Sequence, residues 1–260
     1  MDDTSLTVTG DGAAVVLVHG MGLNMAMWQG QAAALSNVFK VVRYDLLGHG
    51  ASAARPVAYG PGPYEIADFV DQLARVLDHL GIERCRLVGF SLGGLIAQAF
   101  TIAHGHRVER LAILNTGFDR DDGERSGMIE RLKIARKDGF AATIEMALER
   151  WFTPAFATAE PEAVDQVRQW MAANDGAVYP EIYRLLAHGD RELAGLVATI
   201  SCPTLVLTCD GDSGSPPAMA RRMAAAIPHA YPAIVPSLRH MGLFEEPSAI
   251  NKILLPFLTA

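Results

Sequence analysis

The chain has 260 residues, half of them apolar, which is enough for one large buried core, and 29 acidic against 22 basic residues leave a net charge of −7. That excess is spread along the length with no lysine- or arginine-rich block to neutralise phosphates, which excludes nucleic acid as a partner. No stretch reaches the roughly 20 apolar residues of a membrane span, Met1 to Ser5 carry no basic n-region, and Cys85, Cys202 and Cys209 are odd in number, so the expectation is a reduced cytoplasmic protein without a disulfide framework.

Short apolar runs alternate with longer segments of helical period, the pattern of a mostly parallel sheet covered by helices. A hairpin strand is predicted at Leu6 to Thr9, followed by strands at Val15 to His19 and Phe39 to Tyr44. The clearest helix is Glu65 to Leu80. There Ile66, Phe69, Val70, Leu73, Val76, Leu77 and Leu80 share one stripe, Asp68, Asp71, Arg75 and Asp78 face away, and Gly81 ends the element. A strand at Arg86 to Phe90 leads into a helix from Ser91 to about Ala103, and another strand follows at Leu111 to Asn115. From about Gly117 to Thr199 the strand signal disappears, and helical patterns run over Met128 to Lys137, Phe140 to Trp151, Pro161 to Ala173 and Pro180 to Ala187. Strands return at Thr204 to Thr208 and Ala233 to Val235, and a helix from Ser248 to Leu258 closes the chain. Residues 1–116 and 200–260 therefore read as one α/β core, with 117–199 as a helical cap over the carboxyl edge of its sheet.

Gly89-Phe90-Ser91-Leu92-Gly93 matches G-x-S-x-G, and its context carries more weight than the pattern. The serine falls between a buried strand and a helix, in the sharp turn that exposes a nucleophile and aims the first helical amides at it. A serine held in a strained turn leaves no room for Cβ atoms two positions to either side, which accounts for both glycines. The plain alternative is that Ser91 merely caps the helix.

After the first parallel strand comes His19-Gly20-Met21-Gly22, and here the chain resembles the α/β-hydrolase family. The resemblance implies an α/β-hydrolase fold with the helical cap inserted after the family's sixth strand. It also implies an oxyanion hole built from the amides of Met21 and Leu92, with His19 structural, bonding the neighbouring turn. Tyr44-Asp45-Leu46-Leu47-Gly48-His49-Gly50-Ala51-Ser52 is similar to the family's D-x-x-G-x-G-x-S turn, which is architectural, so Asp45 and His49 stay outside the triad. Leu238-Arg239-His240-Met241-Gly242 resembles the catalytic histidine loop and follows the last strand in the order serine, acid, histidine. For the acid, the family pattern G-x-x-D-x-x-T-P counted back from Pro216 falls on Asp212, with Asp210 two residues away as the rival. A calcium loop beginning there fails, because its twelfth position is Arg221.

The resemblance implies that His240 takes the Ser91 proton as the serine attacks an acyl carbon, and that Asp212 fixes the imidazole tautomer. Leu148 to Phe156 is similar to the cap of 3-oxoadipate enol-lactonases, where Arg150 could pair with a substrate carboxylate and Trp151 pack on a ring. Equally, Arg150 could be solvated, and Trp151 with Phe152 part of the cap core. The expected substrate is a small ester or lactone. A carbon-carbon hydrolase of ring-cleavage products and a catalytically silent binding protein stay open as alternatives. No cofactor or metal is expected: the G-x-G pairs at Gly10, Gly20, Gly48 and Gly60 lack the third glycine of a dinucleotide fingerprint, and no H-E-x-x-H or C-x-x-C occurs.

Overall fold

Ala14–Val18 is apolar at every position and buried at every position, as a strand covered on both faces must be. It is β2 of the sheet found in the computed structural model, which describes residues 4–52 and 63–260. Met1 to Asp3 and the Gly60 pair lie outside the described residues. The other strands are β1 (Leu6–Thr9), β3 (Lys40–Tyr44), β4 (Cys85–Phe90), β5 (Val108–Leu114), β6 (Thr204–Cys209) and β7 (Ala230–Val235). They form one seven-stranded sheet in the order β1-β3-β2-β4-β5-β6-β7. Only β1 runs antiparallel to its neighbour, Leu6 lying opposite Tyr44 and Thr9 opposite Val41, while every later pairing is parallel. The order reverses at β2, so the crevice beyond the carboxyl ends of β2 and β4 is where an open sheet of this kind offers a site. Cys85, Cys202 and Cys209 are all free thiols.

Eleven helices follow the strands in the described residues. They are α1 (Gln29–Leu35), α2 (Ile66–His79), α3 (Leu92–Ala103), α4 (Asp122–Asp138), α5 (Ile144–Trp151), α6 (Pro154–Ala159), α7 (Pro161–Ala172), α8 (Tyr179–Ala194), α9 (Pro217–Ala226), α10 (Gly242–Glu245) and α11 (Pro247–Thr259). The α2 helix ends as its sequence predicts. Gly81 takes φ 63°, its amide bonds the Asp78 carbonyl, and the Ile82 amide reaches back to Leu77, so the last carbonyls are satisfied. One residue expected on the outward face differs: Asp68 is buried and turned to the helix start, where its carboxylate accepts the Glu65 amide at 2.9 Å. The acidic run after Asp119 has the same purpose, since Asp121 accepts from the Glu124 amide at 2.7 Å and Glu124 reaches back to the Asp121 amide, starting α4 well before Met128. The helices α4 to α8 all lie between β5 and β6. The predicted Phe140 to Trp151 helix divides into a 3-10 turn over Phe140–Thr143 and α5.

The loops at the carboxyl ends of β2 and β3 are held by buried polar side chains. His19 Nε2 accepts the Leu46 amide at 2.9 Å while Nδ1 faces the Gly20 carbonyl at 2.7 Å, and Asp45 accepts the Met25 and Ala51 amides at 2.8 Å each. Both roles are architectural. His49 stacks edge-on to His19, 5.3 Å away between ring centres, with its Nδ1 on the Leu47 carbonyl. Burial lowers the pKa of His19 to about 4 and that of His49 to about 3, in the latter case with the neighbouring His19 adding to the effect.

Since these folded-state values lie below the unfolded value near 6.5, the unfolded chain takes up protons first as pH falls. Their contribution to stability is complete above about pH 6.5 and is lost progressively toward pH 4 and below. At pH 5 the two rings together withdraw on the order of a few kcal/mol, which lowers the melting temperature by roughly several degrees. Thermal melts between pH 7 and pH 5 read this directly, with His49→Gln expected to flatten the slope; a melting temperature unchanged over that interval would contradict it.

Candidate active site

Between β4 and α3 the chain turns at Ser91 with φ 53° and ψ −113°, a left-handed conformation that only the surrounding packing can impose on a serine. Its amide donates to the Leu114 carbonyl at 2.9 Å. A Cβ on Gly89 would lie 2.2 Å from the Gly93 carbonyl oxygen, and one on Gly93 would lie 2.2 Å from that of Val18. Both glycines are thus required by close approach of backbone. Ser91 occupies the cap position of α3, yet its side chain makes no capping hydrogen bond, which removes the main support for a purely structural serine.

Leu92 opens α3, so its amide has no intrahelical acceptor, and Met21, on the turn after β2, donates to no backbone carbonyl among the described residues. Met21 and Ser91 line one recess, together with His240 and Asp212. Asp212 lies just beyond β6 and is almost wholly buried, whereas Asp210 is exposed.

The Asp212 carboxylate is the best-satisfied acceptor of the site. Its Oδ2 accepts from His240 Nδ1 at 2.7 Å, from Asn115 Nδ2 at 2.9 Å and from Ser215 Oγ at 2.6 Å, while Oδ1 accepts the Gly214 and Ser215 amides at 2.9 and 3.1 Å. Burial alone would raise its pKa. Attraction to the His240 ring and these hydrogen bonds outweigh burial and hold the carboxyl well below the usual range. An ionised carboxylate only accepts, so His240 carries its proton on Nδ1 and presents Nε2 as a base.

The His240 ring lies between Phe90, at 4.9 Å, and Trp151, at 5.6 Å between ring centres. Its loop is bolted to the end of α5. The Met241 amide donates to the Trp151 carbonyl at 3.0 Å, and Arg239 donates to the carbonyls of Glu149 and Phe152 at 2.7 and 3.0 Å. Thr153 bonds Glu245 through both its amide and its hydroxyl. Trp151 therefore belongs both to the packing of the insert and to the recess, whereas Phe152 points away into a cluster with Phe156 and Phe244. Arg150 is half-buried and lines the recess. Burial first, then the charge of Arg131, lowers its pKa.

Several lining residues escaped the sequence reading. Asn115 and Ser215 hold Asp212. Ser215 stood in plain sight, immediately before Pro216 where the family pattern has threonine. Arg120, Arg131, Tyr179 and Tyr183 also line the recess. Met128 with Arg131, and Tyr179 with Tyr183 and Leu186, recur at helical spacing, a signal that shows a shared face without showing what it faces.

A model of the alpha/beta hydrolase fold family matches residues 13–247. The chain belongs to that family and is an enzyme of the hydrolase class. It is 30% identical over 249 residues to (E)-2-((N-methylformamido)methylene)succinate hydrolase of Acinetobacter baylyi, covering 96% of this chain and 91% of the relative. It is likewise 30% identical over 241 residues to 3-oxoadipate enol-lactonase 2 of the same organism, covering 93% and 86%. Among solved structures, the enol-lactonase from Burkholderia xenovorans LB400 is similar with a TM-score of 0.88 and 30% identity, over 99% of this chain and 96% of that one.

Proposed function

We propose that this protein hydrolyses a small ester or lactone, an enol-lactone being the favoured candidate, through an acyl-enzyme formed on Ser91. The observation that carries the reading is the 2.7 Å hydrogen bond from His240 Nδ1 to a deeply ionised Asp212, opening on the same recess as a serine held in a strained turn. His240 Nε2 takes the Ser91 proton as Oγ attacks the acyl carbon, and the Met21 and Leu92 amides receive the negative charge that develops on the acyl oxygen. The imidazolium then protonates the leaving alkoxide or enolate. In a lactone that oxygen stays attached to the acyl chain, and water deacylates the serine by the same route.

Residues 117–199 serve as the cap, with Trp151 packing on the substrate and Arg150 binding a carboxylate. The names of the two lactonase relatives and the half-buried Arg150 in the recess support this choice of substrate. A panel of enol-lactones, simple esters and vinylogous diketones tests it, with the highest kcat/KM expected on a lactone or ester. Preference for the diketones would transfer the protein to carbon-carbon hydrolysis, and failure of Ser91 to react with a fluorophosphonate would make it a binding protein.

A further inference from the structure

The charges around the recess do not balance. Deep inside, Arg120 and Arg125 share one carboxylate, Asp190: Arg125 Nη1 bonds Asp190 Oδ1 at 2.8 Å, and Arg120 Nη1 lies 3.6 Å from the same oxygen. All three side chains are at least 95% buried, with exposures of 5%, 5% and 0% for Arg120, Arg125 and Asp190. Arg120 lines the recess and donates from Nη2 to the Gly214 carbonyl at 3.3 Å, yet its buried Nη1 makes no hydrogen bond. The group thus retains one positive charge, and the Asp212 carboxylate, which acts on Arg120 and Arg150 alike, offsets one unit of charge only.

Arg131 and Arg150 are left over. Among the described residues each uses only its Nε in a hydrogen bond, Arg131 to the Tyr183 hydroxyl at 2.9 Å and Arg150 to the Met146 carbonyl at 3.0 Å. Neither has a carboxylate within ion-pair distance among the described residues, and both line the same recess, where the charge of Arg131 lowers the pKa of Arg150. Two like charges brought together in a partly dehydrated recess cost free energy, and that cost is removed when anions occupy the space between and before them. With the Nε atoms already anchored, the remaining N–H groups of each guanidinium are free to hold a carboxylate.

We infer that the substrate is a dianion, a short acyl chain carrying two carboxylates, gripped from the helical insert by Arg131 on α4 and Arg150 on α5. The inference rests on the acyl-hydrolase reading above and extends it, because one carboxylate on Arg150 would leave Arg131 uncompensated. Tyr183 acts as a positioning residue, holding Arg131 from α8.

The test is protection of Ser91 from a neutral fluorophosphonate by glutarate against butyrate, at matched ionic strength. The half-protecting concentration of glutarate is expected to be lower by about tenfold or more, as one additional charge-assisted pair would give. In Arg131→Gln and in Arg150→Gln the ratio of the two half-protecting concentrations is expected to fall toward one, a readout independent of the absolute labelling rate. Thermal shifts with the same two acids read the site without the nucleophile and are expected to favour glutarate in the wild type. Labelling with equal protection by both acids, and equal thermal shifts, would overturn the dianion and leave the serine hydrolase intact. Absence of labelling would overturn the acyl-hydrolase reading itself.

Discussion

Ser91→Ala is expected to lower kcat/KM on a p-nitrophenyl ester by a factor on the order of 10^5 to 10^6, leaving only the residual rate that amides and binding supply. The fold should tolerate the change. The Ser91 hydroxyl makes no capping hydrogen bond, and its removal leaves the turn anchored by the Ser91 amide on Leu114. Alanine meets the same backbone conformation with a smaller side chain, so the melting temperature should stay within a few degrees of the parent. Steady-state turnover and a thermal melt on one preparation separate the two effects. Turnover at the parental rate would remove Ser91 from the chemistry, whereas loss of both fold and activity would show a structural serine after all.

Asp212→Asn comes next in size, with kcat expected to fall by about 10^4-fold while Asp210→Asn stays within about twofold. The reason is tautomeric. An asparagine amide set against His240 Nδ1 can donate to that nitrogen, which moves the ring proton to Nε2, where it blocks removal of the Ser91 proton. The fold retains most of its connections, because the amide oxygen still accepts from the Gly214 and Ser215 amides that now meet Oδ1. Stability should respond to pH in a matching way. The folded pKa of Asp212 is depressed, so its contribution is present above the unfolded value near 3.9 and is lost as pH falls below it. Asparagine, which does not titrate, gives up that contribution at every pH. Equal losses at Asp210 and Asp212, or none at Asp212, would sink the assignment of the acid.

Much of this arrangement was legible from short stretches of chain. The strand, turn and helix around Ser91 are local features, and so are the glycines whose Cβ atoms would collide with neighbouring carbonyls. The strands were found because parallel strands covered on both faces are runs of apolar residues, although β7 proved to begin at Ala230, with Pro232 tolerated on an edge strand. The sequence reading names neither the short α1, α6 and α10 nor α9, whose buried face of Met219, Ala220, Met223 and Ala224 is half alanine and so contrasts weakly with its surroundings. Asp68 was assigned outward by periodicity but turned to the start of its own helix, where the backbone amide of Glu65 outcompetes water.

The count back from Pro216 favours Asp212 over Asp210, but what surrounds each carboxylate is not local. Two carboxylates two residues apart look alike until the chain beyond β6 buries one and leaves the other in solvent. The partner that helps to hold Asp212, Asn115, is 97 residues away along the chain. The arginines follow the same logic. On an amphipathic helix a cation reads as part of the solvated face, and only the packing of α4 on α8, of α8 on α3 and of α5 on α7 leaves Arg131 and Arg150 lining the recess.

The amino-acid order by itself determined the strands, the insert and the strained serine turn, because periodicity, glycine spacing and turn chemistry act between near neighbours. The tertiary structure alone decided what buries and holds Asp212, which aromatic rings flank His240 and which cations line the recess without an acid among the described residues. Those are questions of burial and pairing across long separations, where a side chain's charge and hydrogen bonds depend on residues the local sequence does not contain.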